Sequence, residues 1–78
     1  MDLTHDATYR IACIAWQLGQ IASGSTEYGE GEDLAETRDG LWRAADRERA
    51  RLAALGLDDD AIELGYVEGY EQGLAVAA

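Results

Sequence analysis

The sequence contains no lysine, proline, phenylalanine or asparagine, and it has one cysteine and one histidine. Without lysine, neither Schiff-base chemistry nor the phosphate-binding lysine of a Walker motif is available. Because Cys13 is alone, a small fold stapled by disulfides is excluded, and we expect a reducing compartment and a cysteine that fills space in a helix. The only histidine, His5, lies about two helical turns from Cys13, which argues against a Cys–His catalytic pair.

Positive charge is also scarce. The 78 residues carry sixteen acidic side chains against six arginines, for a formal net charge of −10. Such a chain is repelled by nucleic acid and by anionic membranes, so we expect it to bind neither directly. It has no apolar run that could span a bilayer and no signal-peptide pattern, so we expect a cytoplasmic protein. This length predicts a single helical domain over residues 1–78.

The first part of the chain has helical periodicity. Apolar residues recur every three or four positions from Leu3 to Ile21, which predicts a helix over 4–22. Gly24 follows it and is expected to end the helix with a left-handed backbone. Residues 23–32 are rich in glycine and acids without an apolar period, which predicts a loop.

Two further helices are predicted. One covers 33–55 and is stopped by Gly56, while Gly40 is expected to weaken it or divide it in two. The other covers 59–75, with Asp58 as its N-cap. No strand pattern is present, so the fold class predicted is all-α, a small bundle of three or four helices. The expected core positions of these two helices are Leu34, Leu41, Ala45, Leu52, Leu55, Ile62, Tyr66, Tyr70, Leu74 and Ala77, with Trp42 beside them.

The last predicted helix contains glycine at every fourth position. Gly65, Gly69 and Gly73 form this ridge, and Tyr66 and Tyr70 each follow one of the glycines. Three interior glycines cost about 2 to 3 kcal/mol in helix propensity, so they need a structural reason. We expect the ridge to pack closely against another helix, either within the chain or across a homodimer.

Arginines are concentrated in the second helix. Arg43, Arg47 and Arg51 recur at four-residue spacing within a mildly basic stretch, residues 38–51, which lies between acidic flanks. This ridge is either a solvent-facing surface balanced by neighbouring acids or a face that meets the acidic surface of another copy.

The acidic residues do not follow a metal-binding template. The calcium-loop pattern fits neither the Asp58–Asp60 triplet nor the acidic loop, and we expect no metal, no cofactor and no catalytic residue. Two acidic surfaces are instead candidates for binding a basic partner. The loop surface comprises Glu27, Glu30, Glu32 and Asp33. The surface of the third helix comprises Asp60, Glu63, Glu68 and Glu71, which lie within an arc of about 140°.

In size and charge the chain resembles small phage-encoded inhibitors, such as anti-CRISPR proteins and DNA-mimicking anti-restriction proteins. This resemblance covers the whole chain and rests on no particular motif. It implies a non-enzymatic protein in the cytoplasm of the host cell that binds a basic, nucleic-acid-handling complex and inhibits it stoichiometrically. The alternative is a helical oligomeric adaptor or structural protein, including an antitoxin-like partner of a basic protein.

Overall fold

The computed structural model describes the backbone of residues 7–77 and the side chains of residues 7–76. Three helices follow one another: α1 (Tyr9–Ala22), α2 (Gly31–Ala54) and α3 (Asp59–Ala77). Within the described residues there is no strand, so the prediction of a small all-α bundle is confirmed. Residues 4–6 of the first predicted helix, with His5, lie outside the described residues, as do Leu3 and the side chain of Ala77.

The closest packing in the bundle is between α1 and α3. The glycine ridge of α3 lies against Thr8, Ala12 and Trp16, which are spaced at the same four-residue interval. The pairs Thr8–Gly65, Ala12–Gly69 and Trp16–Gly73 keep one register, so the two helices run parallel over about two turns. The close contacts of these glycines are therefore made within one chain.

The approach is too close for any side chain at these glycines. A Cβ built on Gly69 would lie 2.7 Å from the Cα of Ala12, and one built on Gly73 would lie 3.0 Å from the Cα of Trp16. Gly19 allows the same close approach from the side of α1, because a Cβ added there would collide with the carbonyl oxygen of Tyr70. Backbone contact of this kind replaces the side-chain interdigitation that larger residues would provide.

The second helix runs back along α1, on which it packs more extensively than on α3. Since α1 has 14 residues and α2 has 24, much of the N-terminal half of α2 is not covered by another helix of the described chain and is exposed. The core is correspondingly small. Its buried apolar residues are Ile11, Ala15, Leu18, Ala45, Leu52, Ile62 and Tyr66.

Several local expectations prove wrong. The helix α2 is continuous through Gly40, where no atom of another described segment lies near the position of a Cβ. Leu55 is 63% exposed rather than buried, because the chain turns back after α2 and Leu57 packs against the core in its place. Trp42, by contrast, lies beside the core as expected, because its ring stacks on that of Tyr66, although 43% of the residue is exposed. Cys13 is also exposed, since it lies about 200° around α1 from the buried Ile11.

The C-terminal ends of α1 and α2 agree with the prediction, whereas a turn at Thr8 interrupts the first predicted helix, so that α1 begins at Tyr9. Gly24 and Gly56 adopt φ angles of 93° and 94°, as expected for glycines that terminate helices. The loop after α1 is held to the helices by two hydrogen bonds. Ser23 Oγ donates to the carbonyl oxygen of Leu74 at 3.0 Å, and the Tyr28 hydroxyl donates to Gln20 Oε1. These contacts place the loop at the C-terminal end of α3.

One carboxylate of α2 is buried. Glu48 accepts hydrogen bonds from the guanidinium of Arg51, including one from Nε at 3.1 Å. The bonds to Arg51 lower the pKa of Glu48 below its ordinary value of 4.5, and the charge of Arg10 acts in the same direction. The pair therefore contributes stability only while Glu48 is ionised.

We expect Glu48→Gln to destabilise the protein more at pH 7 than at pH 3. The folded-state pKa is lowered, so the contribution of the pair is present above pH 4.5 and is lost as the pH falls through the lower folded value. Glu36→Gln is the matched control, since Glu36 is exposed and the same unit of charge is removed. Urea unfolding at both pH values measures the difference, and an equal loss at pH 3 and pH 7 would contradict this role of the pair.

Candidate binding surface

The side of α3 that points away from α1 combines acids with apolar residues. We call this surface the outward face and define it by its exposed residues, which are Asp60, Leu64, Val67 and Glu71, with Glu68 at its edge beside the groove between α1 and α3. Because the glycine ridge occupies the opposite side of the helix, the packing of α3 on α1 determines which residues remain outside. The structure thus brings three of the four acids predicted on α3 onto one free surface.

The fourth acid, Glu63, is engaged within the chain. Arg49 Nε lies 3.0 Å from Glu63 Oε1, and the Arg49 guanidinium carbon lies 4.6 Å from the centre of the Tyr66 ring. The attraction to Glu63 is one of charge, since Arg49 Nε donates no hydrogen bond within the described part of the chain. Arg49 therefore offsets the charge of Glu63 and leaves it less available than its neighbours to a partner.

Tyr66 is the centre of an aromatic stack between α2 and α3. Its ring lies 6.2 Å from the ring of Trp42 and 6.2 Å from that of Tyr70, in both cases in stacked orientation. Burial raises the pKa of Tyr66, and its hydroxyl has no hydrogen-bond partner among the described residues. This stack packs α3 against α2. It therefore covers the side of α3 that lies next to the outward face.

The acids of the outward face differ in what they do for the helix. Asp60 lies in the first turn of α3, where a negative charge interacts favourably with the helix dipole. Glu68 and Glu71 lie in the second half of α3, where a negative charge gains nothing from the dipole. Neither forms an ion pair with a described residue, so their contribution to folding does not explain their presence.

The predicted loop surface is divided between a loop and a helix. Glu27 and Glu30 lie in the connection after α1, whereas Glu32 and Asp33 belong to the first turn of α2, where they complement its dipole. All four side chains are exposed. They lie toward the C-terminal end of α3, while Asp60 is at its other end, so the two acidic surfaces do not form one compact patch.

The arginine ridge is also divided. Arg51 is held by Glu48, whereas Arg43 and Arg47 are exposed and make no ion pair with any described residue. Arg43 and Arg47 are therefore not balanced by contacts to neighbouring acids. They lie on α2, away from the outward face of α3.

A groove of about 550 Å³ borders Glu68 between α1 and α3. It is lined on the α1 side by Tyr9, Cys13 and Trp16, and on the α3 side by Gly69 and Gln72. Among the described residues there is no cluster of His, Cys, Asp or Glu able to hold a metal ion. In the same part of the chain, no helix is both long and apolar enough to cross a membrane.

Leu64 and Val67 are the surface residues that the sequence reasoning missed. They are 59% and 44% exposed, and they lie between Asp60 and Glu71 on the outward face. The sequence does contain a pattern that indicates them. Positions 60, 64, 67 and 71 follow the four–three–four spacing of helix contact positions, on the side of α3 opposite the glycines.

Comparison with protein-family models, curated proteins and solved structures finds no match to this chain. Its function therefore has to be inferred from its own surfaces.

Proposed function

We propose that the protein is a non-enzymatic inhibitor that uses the outward face of α3 to bind a basic, nucleic-acid-handling protein or complex. The observation that carries this proposal is the position of Glu68 and Glu71. Both are exposed, form no ion pair with a described residue, and gain nothing from the dipole of their own helix. With a net charge of −10, the protein as a whole is also attracted to a positive surface.

Inhibition follows from competition for that surface. A protein that holds DNA or RNA presents arginine and lysine side chains to the phosphates. Carboxylates at the same place neutralise those side chains and exclude the nucleic acid. This is the mode of action expected of an anti-CRISPR or DNA-mimic type of protein, and it places the inhibitor in the cytoplasm of the host cell with its target.

The adaptor alternative is less well supported. A homodimer built on Gly65, Gly69 and Gly73 would have to displace α1, which already covers these glycines. A dimer built on Arg43 and Arg47 would have to overcome the repulsion between two chains that each carry a net charge of −10.

A competition experiment tests the proposal. The partner is captured from an extract of the native host with the tagged protein, identified and purified, and its affinity for its own nucleic acid is then measured against increasing inhibitor. We expect nucleic-acid binding to fall as inhibitor approaches one equivalent per binding site. A captured partner that binds nucleic acid equally well with saturating inhibitor would contradict the proposal, and a complex of this chain only with itself would favour the adaptor.

A further inference from the structure

Two apolar side chains in the middle of an acidic surface are not explained by attraction to a positive charge. Leu64 and Val67 are the exposed large hydrophobic residues in the middle of α3, and no described residue covers them. Full burial of a leucine or valine side chain stabilises a complex by about 1.5 to 3 kcal/mol. A partner that covers Leu64 and Val67 therefore gains binding free energy in addition to that of the charge attraction. The pattern of residues around them indicates the shape of that partner.

The four residues at positions 60, 64, 67 and 71 form a seam. Asp60, Leu64, Val67 and Glu71 lie within about 60° of one another around α3 and extend over about 16 Å along its axis. Their four–three–four spacing is that of the contact positions of a coiled coil, in which one helix lies along another. The seam is apolar in its middle and acidic at both ends.

The flanks of the seam also carry acids. Glu68 and Glu63 lie about 70° to either side of its centre, which are the positions that set charge preference in helix pairs. Since Glu63 is bound to Arg49, Glu68 supplies the free charge on one flank only. A partner helix would therefore meet a negative charge at each end and on one side.

We infer that the seam binds an α-helix of the target whose four contact positions are basic, apolar, apolar and basic, in the same four–three–four spacing. This inference rests on the proposed function and specifies the part of the target that is recognised. The apolar pair of the partner packs on Leu64 and Val67, and its basic residues meet Asp60 and Glu71. The mode is the docking of an amphipathic helix.

A second copy of this chain does not fit the seam. The acid–apolar–apolar–acid order reads the same in both directions, so two seams paired antiparallel would place Asp60 against Glu71 at both ends. Paired in parallel, the seams would place each acid against its own equivalent. Either arrangement brings like charges together, whereas a basic helix brings opposite charges together.

Synthetic peptides test the inference. The probe is a labelled, alanine-rich helical peptide of about 20 residues that carries arginine, leucine, leucine and arginine at the seam spacing. The control peptide has the same composition, with the leucines moved to the opposite side of the helix. By fluorescence anisotropy at low salt, we expect the full-length protein to bind the probe about tenfold more tightly than the control peptide.

Protein variants assign that preference to the seam. Leu64→Ser/Val67→Ser is expected to abolish the tenfold difference, whereas Leu55→Ser, at an exposed leucine outside the seam, is expected to preserve it. Substitutions at exposed positions rarely alter stability by more than about 0.5 kcal/mol, and circular dichroism verifies the fold of each variant.

The outcomes separate the seam from the proposed function. If both peptides bind equally, and Glu68→Arg/Glu71→Arg weakens both, the surface recognises charge alone; the seam is then refuted while the proposed function stands. If neither peptide binds at low salt, the seam is refuted, and the competition experiment with the captured partner decides the proposed function separately. If the wild-type protein dimerises and Leu64→Ser/Val67→Ser makes it monomeric, the occupant is a second copy and the inference is overturned.

Discussion

Replacing Gly69 by leucine is expected to destabilise the protein by about 3 kcal/mol or more, because the new side chain has no space between α1 and α3. Even a Cβ at this position would lie 2.7 Å from the Cα of Ala12 and would meet the carbonyl oxygen of the same residue. The two helices must separate to admit it, which also disturbs the contacts at Gly65 and Gly73 along the same ridge. For a domain of this size, the loss lowers Tm by roughly 12 to 24 °C.

The matched control is a glycine in the middle of another helix. Gly40 has no neighbouring atom near the position of a Cβ, so Gly40→Ala is expected to stabilise the protein by roughly 0.5 to 1 kcal/mol through helix propensity. Gly31, the first residue of α2, is a poorer control because its φ of 59° is unfavourable for alanine. Thermal melts decide the matter, and a Gly69→Leu protein that melts at or above the wild-type Tm would show that the ridge is not a packing surface.

Reversing two charges on the outward face is expected to abolish most of the binding to the target. Glu68→Arg/Glu71→Arg replaces two attractions by two repulsions at a basic surface, and we expect the affinity to fall by about 100-fold at low salt. The fold is expected to survive, because both side chains are exposed and a positive charge in the second half of α3 suits the helix dipole. Titration of the target with each variant gives the dissociation constants.

Two other double reversals distinguish the outward face from the acidic loop. Glu27→Arg/Glu30→Arg and Glu36→Arg/Asp39→Arg share the three-residue spacing and the exposure of the first pair, and each changes the net charge by the same amount. If the outward face is the binding surface, both are expected to weaken binding much less than Glu68→Arg/Glu71→Arg. A larger loss of affinity in the loop variant would instead assign binding to the loop. Equal losses of affinity in all three variants would show that binding depends on the net charge of the protein and not on a particular surface.

The helices could be predicted because their signals are local. Apolar periodicity and terminal glycines predicted three helices, and the structure differs at two of their starts: a turn at Thr8 interrupts the first predicted helix, so that α1 begins at Tyr9, and α2 begins at Gly31 rather than near residue 33. The continuity of α2 through Gly40 was harder to predict. The propensity cost of one glycine, about 1 kcal/mol, is small compared with the contacts of a 24-residue helix, so a local penalty did not determine the outcome.

The arrangement of the helices could not be derived from local signals. The glycine ridge predicted a close helix contact, but whether α1 or a second copy supplies the partner depends on the register of Thr8, Ala12 and Trp16 with the ridge. The exposure of Leu55 likewise follows from where α2 ends and the chain turns back. Such features depend on the relative placement of whole helices, which periodicity within one helix does not encode.

The same limit applies to the candidate surface. The acids of α3 were placed on one arc by helical geometry alone, and the structure leaves Asp60, Glu68 and Glu71 exposed there. That Glu63 is bound by Arg49 could not be foreseen, because these residues belong to different helices. Leu64 and Val67 were overlooked because exposed apolar residues stand out only when the buried side of the helix is known.

The salt dependence of the affinity for the target tests the central claim most directly. If exposed carboxylates of α3 occupy a basic, nucleic-acid-binding surface, the dissociation constant of the wild-type protein should rise at least about tenfold between roughly 50 and 300 mM salt, because mobile ions screen the attraction. A dissociation constant that stays the same across this range would contradict the claim and would point to binding through apolar contacts alone.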